Sequence, residues 1–325
     1  MLNLHQLGHG GEAYYLDQVV SGVEDYYGEA GEAPGYWLAS SHQLGLEGTV
    51  DGDELRAVLS GVDPSSGGAL HTARNRRVSG WDLTFRAPKS VSILWALGDD
   101  RVAGQVAAAH DTAVARAVRY MEGTAAFTRT GHNGINRVPT GGFVAAGFRH
   151  STSRDRDPLL HTHVLVANSV QAADGRWRTI DSKGLYDHAK TGGFLYQVEL
   201  RHELTRRLGV SWNHPVKGTA DVVGVPGAVI DLFSKRRAAI EAELEGWGMT
   251  SAAAAQVATL ETRRSKDDRP ESFQAKQGRW RAEATAAGFD VATLGLTMPG
   301  SHGHGQTVGG GGQAVGGGGQ MPEPV

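Results

Sequence analysis

Three of the fourteen histidines of this 325-residue chain fall inside one stretch, HSTSRDRDPLLHTHVLVAN, running from His150 to Asn168. His161 and His163 sit two residues apart in a β-branched apolar run. On a strand, side chains at that spacing project from the same face with α-carbons about 6.5 Å apart. Two imidazoles so placed converge on one ion, while Thr162 and Val164 point the other way. His150 ends the preceding apolar segment, TGGFVAAGFRH, and across a hairpin it reaches the same face to complete a set of three. The plainer alternative is a pair of surface imidazoles beside a core strand. A cupin-type site is disfavoured, because it would want a glutamate shortly after the HxH and the sequence there is VLVANSV.

The donor set narrows the chemistry. The chain has no cysteine, which leaves histidine and carboxylate as its strong ligands. Three neutral imidazoles leave the +2 charge of a bound ion uncompensated, and such an ion favours an anionic substrate such as a phosphodiester. Asp82, between Trp81 and Leu83 in WDLTF, is a candidate to hold one imidazole by its other N–H; an ordinary polar strand position is the alternative. There is no GxSxG elbow. The N-terminal stretch EAYYLDQVVSGVEDYYGEAG instead carries Tyr14, Tyr15, Tyr26 and Tyr27, half of the eight tyrosines. Tyrosine suits a phosphodiester that is cut and later rejoined, since the aryl phosphoester retains the energy of the broken bond. Against this, Tyr15, Val19, Val23 and Tyr26 or Tyr27 recur at helical spacing and could form a buried stripe.

The elements that must position these groups can be read from periodicity. WDLTF alternates apolar and polar residues as a strand, and Pro88 suits the first turn of a helix over APKSVSILWAL. Arg101 to Met121 has helical spacing. TGGFVAAGFRH and HTHVLVANSV read as antiparallel strands joined by a ten-residue loop, Ser151 to Leu160. RWRTID reads as a further short strand, Gly193 to Leu208 as a helix closed by Gly209, and Val229 to about Ala287 as mostly helical and charged. A weak helical pattern covers Asp53 to Ser60, and the residues up to Ala33 read only as polar and Gly-rich. After Met298 the chain is Gly-rich, with VGGGGQ twice, and reads as a flexible tail.

At 40% hydrophobic residues, the composition suffices for a buried core. The formal net charge of −3 hides an asymmetry: residues 1–63 carry eleven acidic residues and only Arg56, net −10, so the remainder is +7. Its basic clusters, among them TARNRRVSG, SKRRAA and KQGRWR, make a positive face possible. Neither a signal peptide nor an apolar run of membrane-spanning length is present, so a cytoplasmic location without membrane insertion is expected.

Taken in order, the two tyrosine pairs, WDLTFRAPKSVSILWAL and HSTSRDRDPLLHTHVLVAN resemble the conjugative relaxases of the TrwC/TraI (MobF) type, within the HUH endonuclease superfamily. The resemblance runs from Met1 to about Asp290. It implies an α+β fold, an antiparallel sheet with flanking helices, in three parts: a catalytic core over 1–228, a helical lid enclosing DNA over 229–298, and the tail, 299–325. It also implies an enzyme that binds hairpin and single-stranded DNA at a plasmid origin of transfer, nicks one strand and stays joined to the 5′ phosphate through tyrosine. His150, His161 and His163 match the ligands of one divalent metal ion, Mg or Mn, with Zn possible. Asp82 matches their acidic partner, Tyr14 the first nucleophile and Tyr26 that of the second transfer, with Tyr15 and Tyr27 the second member of each pair. Implied partners are relaxosome accessory proteins, a coupling protein and type IV secretion machinery.

Lys89, at the start of the helix after WDLTF, and Arg154, just before the histidine strand, are candidate phosphate contacts. Trp247 and Trp280 are candidates for base stacking or for packing. Thr162 stands where the superfamily pattern has an apolar residue. Members usually continue into a helicase, whereas this sequence has no GxxxxGK[ST] loop, so ATP hydrolysis and unwinding are not expected of it. A rolling-circle replication initiator shares the site and chemistry, a metal-dependent phosphoesterase would use water as nucleophile, and a non-catalytic DNA-binding remnant is a further alternative.

Overall fold

A computed structural model describes residues 1–8, 34–71, 78–262 and 271–290. Tyr14, Tyr15, Tyr26 and Tyr27, the basic run 72–77 and the Gly-rich end lie outside the described residues. The strands are β1 (Leu2–Gly8), β2 (Tyr36–Trp37), β3 (Val78–Arg86), β4 (Phe127–Thr130), β5 (Asn136–Pro139), β6 (Ala145–Thr152), β7 (Pro158–Ala167), β8 (Val170–Gln171) and β9 (Trp177–Arg178). The α-helices are α1 (Gly52–Leu59), α2 (Lys89–Leu97), α3 (Asp100–Ala125), α4 (Lys183–Leu208), α5 (Gly227–Leu232), α6 (Lys235–Trp247), α7 (Ala252–Glu261) and α8 (Phe273–Ala286).

Period-two patterning builds the centre: an antiparallel sheet in the order β1-β3-β7-β6-β2, so the fold is α+β. Trp81, Leu83 and Phe85 of β3 share one face with Leu160, Val164 and Val166 of β7, and they form the larger core with α2, α3 and α4. The opposite face is divided. At one end Leu165 and Ala167 of β7 and Ala146 and Phe148 of β6 pack under Leu55, Val58 and Leu59 of α1. Toward the other end of the same strands, on that same face, come His150, His161 and His163. Each fully buried leucine or valine contributes about 1.5–3 kcal/mol, and that apolar burial fixes the pairing register that sets the histidines side by side.

The helices start where local chemistry allows. Asp51 caps α1 by accepting from the backbone N–H groups of Asp53 and Glu54 at 2.8 and 3.1 Å, and Asp99 caps α3 by accepting from Val102 at 2.7 Å. Gly209, with φ 63°, closes α4.

Several expectations need correction. β1 pairs with β3, although the N-terminus reads only as polar and Gly-rich. α4 begins at Lys183, ten residues before its expected start, because Gly192 and Gly193 act as a close-packing site and not as a break: a Cβ on Gly193 would lie 3.0 Å from the backbone nitrogen of Leu2, and one on Gly192 would lie 2.9 Å from the sulfur of Met121. RWRTID contributes only the two residues of β9. The ten-residue loop shrinks to residues 153–157, since the ladder continues to Thr152↔Pro158. No helix among the described residues is long and apolar enough to cross a membrane.

Candidate metal centre

β6 and β7 pair with His150 directly opposite His161, and β3 pairs with β7 with Thr84 opposite His163. The three imidazole centroids are 5.4 Å (His150–His161), 5.2 Å (His150–His163) and 5.1 Å (His161–His163) apart. Imidazoles bound through Nε2 to one ion at about 2.1 Å, with near-tetrahedral angles, hold their centroids about 5 Å apart. Among the described residues no group of three or more His, Asp or Glu side chains has metal-holding geometry as it stands.

Hydrogen bonding fixes the tautomers that ligation needs. His163 Nδ1 lies 2.8 Å from Oδ2 of Asp82 and 3.3 Å from Oγ1 of Thr84, and the Thr84 hydroxyl donates to the same carboxylate oxygen at 2.9 Å. His161 Nδ1 lies 2.9 Å from the carbonyl of Leu159. A carboxylate and a carbonyl only accept, so both Nδ1 atoms carry a proton, and in the neutral form of each ring Nε2 is the atom that keeps the lone pair. Burial, and then His163 and His150, hold the His161 imidazole well below its usual pKa and keep it neutral. The donor set and its tautomers therefore fit a divalent ion.

Behind the sheet, Thr162 faces away from the three histidines, and its hydroxyl lies 2.8 Å from Nε2 of the buried His110, whose Nδ1 is 2.8 Å from the hydroxyl of Tyr196. Thr162 so placed satisfies a buried histidine, which an apolar residue could not do.

The remaining candidates are placed differently. Half-buried Lys89 donates to the carbonyl of Pro158 at 2.9 Å, and burial pushes its ammonium down to about 8 against the pull of Asp157. It thus serves the base of β7. Arg154 lies half-buried in the turn between β6 and β7. Trp280 is fully buried in the larger core and donates to the carbonyl of Arg156 at 2.8 Å, so it packs and is closed to base stacking; Trp247 is half-buried at the end of α6. The four tyrosines lie outside the described residues. Sequence reasoning missed Thr84 and His110. The first carried a signal, standing two residues after Asp82 on the same strand face; the second, inside an Ala-rich helix, carried none.

A groove of about 970 Å³ is lined by His71, Arg129, Arg176, Trp177 and Arg178, among others. Asp181 lines it as well and pairs with Arg129 at 3.1 Å, and Arg178 pairs with Asp174 at 2.6 Å, so much of its positive charge is matched within the protein.

The TrwC relaxase family model matches residues 8–287. Multifunctional conjugation protein TraI of Escherichia coli is 36% identical over 312 residues, and that of strain K12 is 34% identical over 309; each match covers 90% of this chain and 16% of TraI, so the chain spans about a sixth of those relatives. Among solved structures, the conjugative relaxase TrwC in complex with OriT DNA, in a metal-free form, is 30% identical with a TM-score of 0.75. Its copper-bound form, and TrwC complexed with a 27-mer DNA comprising the recognition hairpin and the cleavage site, are each 29% identical with a TM-score of 0.76. Each of the three covers 90% of this chain and 100% of its own. By the family match over most of its length and by these relatives, the chain belongs to the TrwC relaxase family.

Proposed function

We propose that this chain nicks one DNA strand at a plasmid origin of transfer and remains joined to the 5′ phosphate through tyrosine. The observation that carries the reading is the cluster of three imidazoles, two with Nε2 lone pairs fixed by acceptor-only partners, in a chain of the TrwC relaxase family. His150, His161 and His163 would hold a divalent ion. Once bound, such an ion polarises a non-bridging oxygen of the scissile phosphate. Mg suits an all-imidazole set least of the ions considered, and Mn or Zn suits it better. Asp82 and the Leu159 carbonyl orient the rings. The Tyr14 phenol gives up its proton as its oxygen bonds to phosphorus and the bond to the 3′ oxygen breaks, and the leaving oxygen takes up a proton to depart as the 3′ hydroxyl. Tyr26 provides the free phenol for a second transfer.

Hairpin and single-stranded DNA at an origin of transfer are the proposed ligands, with the basic segments as phosphate contacts and the helical region 229–298 as the part that closes over the strand. Accessory, coupling and secretion proteins are proposed partners, and the cytoplasm the proposed site of action. The covalent link separates this reading from a water-using phosphoesterase and from a binding remnant.

Labelled single-stranded oligonucleotides tiling the neighbouring intergenic DNA should give a covalent product with wild type. Tyr14→Phe should fold, at a stability cost of about 1 kcal/mol or less, and give none. Tyr26→Phe should form the first adduct and fail to resolve it in a second transfer. Adducts from the double Phe variant would pass the role to Tyr15 or Tyr27, and no adduct from wild type on any oligonucleotide would sink the reading.

A further inference from the structure

We infer that Lys276, on the C-terminal helix α8, is a positioning residue for His161, acting through Ser151 and the bulge that precedes His161. This inference rests on reading the three histidines as a metal-binding set. The ladder between β6 and β7 runs in register to His150↔His161 and then shifts, so that Thr152 pairs with Pro158. Two residues of β7, Leu159 and Leu160, therefore oppose one residue of β6, Ser151, which is a β-bulge.

Bulges re-aim side chains and free backbone groups from the ladder, and both effects are present. The Leu160 N–H donates to the hydroxyl of Ser92 at 3.1 Å, and the Leu159 carbonyl lies 2.9 Å from His161 Nδ1. The carbonyl that fixes the His161 tautomer is thus supplied by the bulge itself.

Opposite the bulge, Ser151 is buried, and its hydroxyl accepts from the ammonium of Lys276 at 2.9 Å. Lys276 is only 7% exposed, an unusual setting for a lysine, and 125 residues separate it from its partner. The helix that carries it is fixed independently of this contact. Trp280 and Phe273 pack with Trp95 of α2, with centroids 4.4–6.4 Å apart, and Arg281 donates to the Gly98 carbonyl at 2.6 Å. From that anchored helix Trp280 and Arg279 also reach the Arg156 carbonyl, at 2.8 and 3.2 Å, and Glu271 just before it pairs with the Arg156 guanidinium at 2.7 Å. The strand junction that aims the histidines is therefore held by a helix distant in sequence, with Lys276 at the point facing the bulge.

The test is a titration of the folded, DNA-free protein with Co²⁺, read from its d–d absorption, with circular dichroism to establish folding. Lys276→Met keeps the aliphatic stem and removes the ammonium, Lys276→Arg keeps a donor, and Ser151→Ala removes the acceptor. Lys276→Met and Ser151→Ala should each weaken Co²⁺ binding by about tenfold or more, in the range seen when groups supporting a metal ligand are lost. Lys276→Arg should recover most of that loss. Wild-type Co²⁺ affinity in both Lys276→Met and Ser151→Ala overturns the inference, and if Lys276→Met fails to fold, Ser151→Ala alone decides it. His161→Ala serves as control: should it bind Co²⁺ like wild type, the metal reading fails, whatever Lys276 does.

Discussion

Asp82 decides what His163 can present to an ion. Its carboxylate accepts from the ring at 2.8 Å and from Thr84 at 2.9 Å, while the residue is only 2% exposed. An asparagine of the same shape can offer either its carbonyl or its amide to Nδ1, so the imidazole loses the partner that enforces one tautomer. Asp82→Asn should therefore leave the fold intact and weaken Mn²⁺ or Co²⁺ binding about 10–100-fold in a direct titration. Affinity within twofold of wild type would reduce Asp82 to an ordinary buried polar residue. The histidines and Asp82 were legible in sequence because strand periodicity is strict: HTH and WDLTF fix which side chains share a face. The bulge and Lys276 were not legible, because a one-residue register shift leaves no trace in composition, and the lysine lies more than a hundred residues away.

At the scale of elements, the sequence is readable wherever one face is apolar and the other polar, as in β3, α1 and α3. It misleads where tertiary contact overrides a local preference. The sequence pattern starts α4 at Gly193, yet the helix begins ten residues earlier and runs through Gly192 and Gly193, where Leu2 of β1 crosses and leaves no space for a side chain. Glycine in a helix costs about 1 kcal/mol relative to alanine, so Gly193→Ala would ordinarily stabilise. Here the added Cβ would lie 3.0 Å from the Leu2 backbone nitrogen and 3.1 Å from its Cβ, and β1 would have to yield. The expected outcome is a net loss of about 1–2 kcal/mol in urea denaturation, with hydrogen exchange rising first in β1. A gain in stability would mean that β1 moves aside without cost.

For the whole molecule, two charge arguments apply. His110 ties α3 to β7 through Thr162 and to α4 through Tyr196, and burial, aided by Arg149 and the N-terminus, pushes its pKa down to about 3. The unfolded chain, with an ordinary pKa of about 6.5, takes up this proton first, so the contribution is complete above that value and is lost as pH falls toward 3. Between pH 7 and 4.5, His110→Gln should lose about 2.5 kcal/mol less stability than wild type, measured by urea denaturation at both values. Equal losses would show that His110 is protonated in the fold. The second argument concerns DNA. A net charge of −3 predicts no attraction to a polyanion, but the +7 after residue 63 does where its basic clusters meet phosphates within a Debye length of about 10 Å. With about four phosphates neutralised, log affinity for a single strand should fall with log salt at a slope near −3, about 50-fold between 50 and 200 mM. The slope reports contacts and not average charge, so it should persist at pH values where the protein as a whole is anionic. A flat response in a fluorescence-anisotropy titration would mean that the basic clusters are spent on internal ion pairs, such as Arg206 and Arg207 on Glu203, and that recognition rests on hairpin shape and base contacts.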